Sequence, residues 1–334
     1  MQYRKLGKTD ISVSTICMGC WSIVSKDFNW GSNDLKDSMA AIGASLDAGV
    51  NFFDTAEGYG GGESETILAR ALAGRRKDVV IASKVSPDNL REKDLRRHCE
   101  DSLRRLQSDY IDLYQIHWPS RDVPLSQVMP VLESLRQEGK IRAIGVSNFS
   151  PPYLAEATAA GRVETNQVPY SLLWRPIEVE IQPACIEHEI GILCYSPLCQ
   201  GLLTGKFSKA DEVPAERARL RLFSSKRKYA DHGEAGAEEE TFLAIDQIRK
   251  ICREIGRPMN HVALAWLLAQ PAVTSVMAGG RNAAQAADNA AAADLSLPAD
   301  IISRLSAATE SVKRAMGSNA DPWQHESRLE KPSR

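Results

Sequence analysis

The stretch VNFFDTAEGYGGGESETILARALAGRRKDVVIASKV, residues 50–85, decides the fold. It opens with a short apolar run, VNFFDT (50–55), and closes with another, DVVIASKV (78–85). Between them, ESETILARALAG (63–74) repeats its apolar residues at helical spacing and stops at Gly74. Runs this rich in Val, Ile and Phe read as strands buried on both faces, and a helix between two of them points to a parallel sheet. One residue stands out. Asp54 ends the first run, and carboxylates are seldom buried unless something compensates them. A tyrosine, Tyr59, follows five residues on in a glycine-rich turn. If Asp54 is buried, a cation belongs nearby.

The pattern extends in both directions. Further apolar runs are VSTICMGC (13–20), YIDLYQIHW (110–118), IRAIGVSN (141–148), GILCYSP (191–197) and VTSVMAGG (273–280). VETNQVP (163–169) is mostly polar and takes its place by position alone. Helical patterns alternate with them at 34–49, 91–106, 125–139, 178–191, 239–256 and 282–293. In the first of these, Leu35, Met39, Ile42 and Leu46 form one stripe. Pro130 and Pro183 interrupt two others and should kink them or mark their first turns. Eight strand candidates fit a closed (β/α)8 TIM barrel. A doubly wound sheet is the alternative, weakened by the lack of a GxGxxG between an early strand and its helix.

The expected organisation is one barrel domain over residues 1–334. Residues 1–13 belong to an N-terminal β-hairpin, YRKLGKTDISVS, that would plug the barrel bottom. The charged, aperiodic segment 206–238 reads as a functional lid or a partly disordered loop. Residues 313–334 form an extended C-terminal tail with Trp323 as an anchor.

The chain has 334 residues, 43% hydrophobic and 25% charged, which suits a large globular core. A net charge of −2 gives no electrostatic reason to expect nucleic acid or an anionic membrane. No apolar run approaches a membrane span, and MQYRKLGKTD lacks the apolar core of a signal peptide. Seven scattered cysteines suggest buried thiols in a reducing, cytoplasmic setting. Cys17 and Cys20 have CxxC spacing, but in a strand their side chains point to opposite faces, so they read as core thiols.

In a barrel of this kind, chemistry gathers at the C-terminal ends of the strands. In order, those ends carry Asp54, then Lys84, then His117 with Trp118, then Ser147 with Asn148. Asn166 and Gln167 follow on the sixth run, Tyr195 and Ser196 on the seventh, and Gly279, Gly280 and Arg281 on the eighth. Taken singly, each has a plain structural reading: Lys84 a solvated strand end, His117 a satisfied core histidine, Tyr59 loop packing, Asp54 a helix cap. Together they complete one another. A buried Lys84 ammonium would satisfy Asp54, and would lower the pKa of Tyr59 by stabilising its phenolate. Such a phenol can donate a proton to a substrate oxygen, which His117 could orient. This set needs an electron source, and a nicotinamide suits the remaining ends. Asn148 and Gln167 can bond a carboxamide, Tyr195 offers a ring face, and Arg281 suits a phosphate.

The blocks GVNFFDTAEGYG, ASKV, DLYQIHWP, IGVSNF, NQVPYSLL, YSPLCQGLLTGKF and GGRNAAQAADN, taken in order, resemble the aldo-keto reductase superfamily over residues 3 to 295. The likeness is to the bacterial-type branch that also includes potassium-channel β subunits. The resemblance implies Tyr59 as general acid, Lys84 and Asp54 as its tuning pair, and His117 as the group orienting the carbonyl. It implies that Ser147, Asn148 and Gln167 hold the carboxamide, with Tyr195 stacked on the nicotinamide. Ser196, Pro197, Leu198, Gln200, Gly201 and Lys206 would cover the pyrophosphate. Gly279 and Arg281 would meet the adenosine 2′-phosphate. Gln285, Asp288 and Asn289 would frame the adenine end, and Trp21 would lie near both cofactor and substrate. Four positions depart from the family pattern. Glutamate is commoner where Asp288 stands, proline is usual at Ala278, and lysine or serine is frequent at Gly279 and Gly280. Arg281 then becomes the main 2′-phosphate contact, which favours NADP(H) and leaves NAD(H) open.

The expected activity is reversible reduction of aldehydes or ketones to alcohols. Trp21, Trp118 and Trp174 are expected in the substrate wall, with Phe28 and Trp30 adding to it. One rival is a cofactor-binding regulatory or sensor subunit with weak or no turnover. Another is a Schiff-base aldolase working through Lys84, which would leave the cofactor blocks without a purpose. The partner is a small carbonyl compound; its identity and the oligomeric state stay open.

Overall fold

The structure is a computed structural model that describes residues 1–27 and 31–330. Phe28 and Trp30 lie outside the described residues. The chain opens with an antiparallel hairpin, β1 (Tyr3–Lys5) and β2 (Ser12–Ser14). The first barrel strand, β3 (Ile16–Gly19), follows, and then a small second hairpin, β4 (Lys26–Asp27) and β5 (Gly31–Ser32). The other barrel strands are β6 (Phe52–Asp54), β7 (Val80–Val85), β8 (Ile111–Ile116), β9 (Ile141–Ser147), β10 (Thr165–Pro169), β11 (Gly191–Tyr195) and β12 (Val273–Gly279). All eight pair in parallel in chain order, and β12 closes the ring on β3, with Val276 opposite Ile16 and Gly279 opposite Gly19. Each falls within one of the eight runs read from the sequence, so the fold is a (β/α)8 barrel with an N-terminal hairpin.

The helices are α1 (Leu35–Asp47), α2 (Glu63–Ala71), α3 (Glu92–Leu106), α4 (Leu125–Gln137), α5 (Pro151–Ala160) and α6 (Ile181–Glu187). After these come α7 (Glu238–Glu254), α8 (Met259–Leu268), α9 (Ala283–Ala291), α10 (Ala299–Ala308) and α11 (Glu310–Met316). Asp34 caps α1 by accepting from the Lys36 N–H, and Asn282 caps α9 by accepting from Gln285. Pro130 lies inside α4, whereas Pro183 lies in the first turn of α6, where a missing N–H costs nothing.

The apolar core has two parts. The larger lies between the strands and the helices. The smaller fills the barrel with Cys17, Phe52, Ala82, Leu113, Leu193 and Met277. Leu6, Ile11 and Val13 of the first hairpin join it beside Val80, the first residue of β7. The hairpin thus stoppers the N-terminal end, and the site can only open at the other. Cys17 belongs to the inner core and Cys20 to the outer, on opposite faces of the sheet; all seven cysteines are buried and free.

Residues 206–238 are packed coil with one short helical turn. Val213, Leu220, Leu222 and Phe223 are buried, and Arg221 pairs with Glu234 at 2.9 Å. The segment is tied to the tail, since the Arg221 N–H donates to the Pro322 carbonyl at 2.8 Å and its guanidinium to that of Asn319 at 2.9 Å. The tail then runs to Leu329, fully buried, whose carbonyl accepts from the Ser150 N–H. No helix among the described residues is long and apolar enough to cross a membrane.

Candidate active site

The pairing register sets the geometry. Asp54, the last residue of β6, lies opposite Ala82 on β7. Lys84 is two residues beyond Ala82 and so faces the same side. Its ammonium, fully buried, donates to Asp54 Oδ1 at 2.6 Å, to the Thr55 carbonyl at 2.8 Å and to the Tyr59 hydroxyl at 3.1 Å. Three donors meet three acceptors, the condition under which a buried ammonium is tolerated. The cation that Asp54 called for is therefore Lys84.

Tyr59 reaches this pair because the chain doubles back after it. Gly60, Gly61 and Gly62 take φ of 60°, 64° and 95°, which side chains disfavour. The turn is braced from behind. Glu57 accepts from the Ser86 N–H at 2.8 Å and from Asn89 at 2.9 Å, and its other oxygen is 2.7 Å from His98 Nδ1. The Tyr59 ring stacks on Trp21 with centroids 6.2 Å apart and meets His117 edge-on at 5.7 Å.

Burial alone would depress the Lys84 ammonium, but Asp54 and Tyr59 raise it above its ordinary value, so it stays charged. Burial pushes the Tyr59 phenol up, Lys84 pulls it part of the way back, and Asp54 pushes it up again. The net direction is upward, which corrects the expectation of a lowered value. Desolvation of the phenol outweighs the Lys84 cation, and Asp54 offsets part of that cation's effect. Burial, and then the Lys84 charge, push His117 down to about 3, so its ring is neutral.

Above this set opens a cavity of about 810 Å³ at the C-terminal end of the barrel. Asp54, Tyr59, His117, Trp21 and Trp118 line one end. Ser147, Asn148, Gln167 and Tyr195 line the middle. Ser196, Pro197, Leu198, Gln200, Gly201 and Lys206 continue it, and Gly279, Arg281, Gln285, Asp288 and Asn289 line the far end. Lys84 lies beneath and acts on the cavity through Tyr59.

Trp174 is a correction. It is buried outside the lining, its indole N–H donates to the Ala320 carbonyl at 3.1 Å, and the Arg221 guanidinium sits over its ring. It anchors the tail rather than walling the cavity. Trp323 takes that place instead, with its ring parallel to Tyr195 at 6.1 Å between centroids.

The middle of the cavity is a hydrogen-bonded shelf. Ser147 donates to the Gln167 carbonyl at 2.9 Å, Asn148 Nδ2 donates to Ser147 Oγ at 3.0 Å, and the Tyr195 hydroxyl donates to Asn148 Oδ1 at 2.9 Å. The far end is cationic. Arg217, which the sequence reading missed, joins Lys206 and Arg281 there. Burial lowers Lys206, and Arg217 lowers it further; burial and then Arg281 lower Arg217. Like charges crowded in this way suit an anion. Four buried polar atoms of the cavity lining have no partner among the described residues: Ser22 Oγ, Gln200 Oε1, Arg281 Nε and Trp323 Nε1. Asp288 is held by Asn260 Nδ2 at 2.6 Å and by His261 Nε2 at 2.8 Å, so its short carboxylate is engaged from the side. Asn260 was also missed; it lies on α8, a helix with no polar stripe to announce it.

Comparison with known proteins agrees with this geometry. The sequence model of the Aldo/keto reductase family matches residues 15–310. Aldo-keto reductase YhdN of Bacillus subtilis (strain 168) is 37% identical over 85% of this chain and 86% of its own. A methylglyoxal reductase of Escherichia coli (strain K12), described as NADH-specific, is 31% identical over 87% and 93%. A probable voltage-gated potassium channel subunit beta of Arabidopsis thaliana is 30% identical over 88% and 92%. Among solved structures, the glycerol dehydrogenase AKR11B4 of Gluconobacter oxydans superposes with a TM-score of 0.81 at 31% identity, covering 92% of this chain and 95% of that one. An aldo/keto reductase of Klebsiella pneumoniae in complex with NADP and acetate gives 0.70 at 28%, covering 88% and 90%. On its family match, its relatives and the barrel it shares with them, the chain belongs to the aldo/keto reductase family and is an oxidoreductase.

Proposed function

We propose that this protein reversibly reduces an aldehyde or ketone to the alcohol with NADPH, and that Tyr59 is the general acid. One observation carries the proposal: a single buried ammonium, Lys84, bonds both Asp54 and the Tyr59 hydroxyl beneath the cavity floor. When bound, the nicotinamide supplies the hydride that reaches the carbonyl carbon. The Tyr59 hydroxyl gives its proton to the carbonyl oxygen, and the phenolate left behind is stabilised by Lys84. A phenol kept neutral by burial holds its proton until the oxygen gains charge. Neutral His117 orients that oxygen from the other side of the ring pair. Trp21, Trp118 and Trp323 give the cavity an aromatic wall.

The residues present fit the cofactor. Ser147, Asn148 and Gln167 suit a carboxamide, and Tyr195 offers a ring face. Ser196, Pro197, Leu198, Gln200, Gly201 and Lys206 suit a pyrophosphate, with Gln200 Oε1 and Arg281 Nε ready for polar partners. Gln285, Asp288 and Asn289 frame the adenine end, and Gly279, Arg281 and Arg217 favour a 2′-phosphate. NADP in the Klebsiella pneumoniae structure supports this reading, while the NADH-specific relative shows that the family scaffold also serves the other cofactor. Replacing Tyr59 with Phe should cut kcat by orders of magnitude and leave NADPH affinity within about twofold. Retained turnover would remove Tyr59 from the role. A second reading, a cofactor-binding regulatory subunit, is favoured by the likeness to the channel β subunit. It predicts tight NADPH binding and no single-turnover oxidation across a broad carbonyl panel.

A further inference from the structure

Beneath the shelf lies a glutamine that the proposed mechanism does not use. Gln115, on β8, is fully buried inside the barrel. Its Nε2 donates to Asp54 Oδ2 at 3.2 Å, and its Oε1 accepts from Gln167 Nε2 at 3.4 Å. Gln167 Nε2 also donates to Asp54 Oδ2 at 2.9 Å. Room for this crossing comes from Gly145 on β9, where a Cβ would stand 3.0 Å from Gln115 Cγ.

The donor count fixes the orientation of every group. An ionised carboxylate only accepts, so both amides must turn their nitrogens toward Asp54. Gln167 then spends one N–H on Asp54 and the other on Gln115 Oε1. Its carbonyl oxygen alone remains for a ligand in the cavity. Resting on the cofactor reading above, we infer that Gln115 is a positioning residue that locks the Gln167 amide so that its Oε1 reads the amino group of the nicotinamide carboxamide. Through the same bonds it ties the carboxamide shelf to the acid that carries Lys84 and Tyr59.

Two ligands test the inference by binding alone: NADPH, and 2′-phospho-ADP-ribose, which lacks the nicotinamide. In the wild type NADPH binds more tightly. In Gln115→Met, which keeps the shape without donor or acceptor, NADPH should weaken about tenfold while 2′-phospho-ADP-ribose is unchanged. In Gln115→Glu the new carboxyl, protonated beside Asp54, still donates to Asp54 and accepts from Gln167. Measured against wild type at the same pH, that variant should bind NADPH equally well at pH 6 and progressively more weakly toward pH 9. If either variant fails to fold, the other decides. Unchanged NADPH preference in Gln115→Met, equal losses of both ligands, or a Gln115→Glu affinity that keeps a constant ratio to wild type from pH 6 to 9 would each overturn the assignment. Wild-type protein that fails to prefer NADPH over the fragment would instead overturn the cofactor reading, and this inference with it.

Discussion

At the scale of single residues, the site is a set of groups whose ionisation is decided by burial. Lys84 keeps its charge because it has three acceptors; removing Asp54 alone would strand it, at a cost of about 3–5 kcal/mol. His117 is the opposite case, with no anion bonded to its ring among the described residues and a cation nearby. Its folded form resists protonation until about pH 3, whereas an unfolded histidine takes its proton near 6.5. Between those values the unfolded chain binds more protons, so acidification destabilises the fold. The contribution of neutral His117 is complete above pH 6.5 and is lost as pH falls toward 3. The ring partly meets the cavity, so water softens the slope, and about 1 kcal/mol should be gone by pH 5. The Tm of wild type should therefore fall more steeply between pH 7 and 5 than that of His117→Gln. Parallel acid limbs would show that His117 is not held neutral. That these residues belong together was legible, because each stands at the end of an apolar run. The direction of the Tyr59 shift was not, since it depends on how far folding buries the phenol.

At the scale of elements, the hairpin of β1 and β2 does what its position suggested, with an added detail. Its turn is pinned to the residue before β10: the Lys8 N–H donates to the Glu164 carboxylate at 2.8 Å, and Gly7 sits at φ 55° against the Glu164 backbone. A Cβ there would lie 2.4 Å from the Glu164 carbonyl oxygen. Gly7→Ala therefore meets strain and collision at once, and should cost about 2 kcal/mol or more and lower Tm by several degrees. A Tm within a degree of wild type would mean that the plug can shift freely. Seven barrel strands were visible as apolar runs; the eighth, β10, was placed by position alone, because its Asn166 and Gln167 are buried by hydrogen bonds rather than hydrophobicity. Two barrel helices were not visible. α5 is rich in alanine and carries a weak stripe, and its start signal is Pro151 with Pro152. α8 is buried around most of its circumference, so it has no polar face to set a period. The additional helices α10 and α11 follow the last recognised run and had no strand to mark them.

At the scale of the whole molecule, the cavity is completed by parts distant in sequence. The barrel supplies the proton-handling end, the 206–238 segment supplies Arg217, and the tail supplies Trp323. Neither contribution has a local signature, because each depends on the segment and the tail clasping each other through Arg221. The far end then gathers Lys206, Arg217 and Arg281, and the Arg281 guanidinium also donates to the Ser32 carbonyl in the second hairpin. A 2′-phosphate placed there would meet several cations, and a ribose hydroxyl would not. Ligand binding stabilises the folded state by mass action, about 2.7 kcal/mol at a hundred times Kd. NADPH should therefore raise Tm more than equimolar NADH does. Arg281→Ala should weaken NADPH about tenfold, which removes about 1.4 kcal/mol of that stabilisation, and should leave the NADH shift nearly unchanged. Thermal unfolding of both proteins with each cofactor measures the four shifts. Equal losses for NADPH and NADH would place Arg281 on a group the two share, and would leave the 2′-phosphate to Arg217 and Lys206.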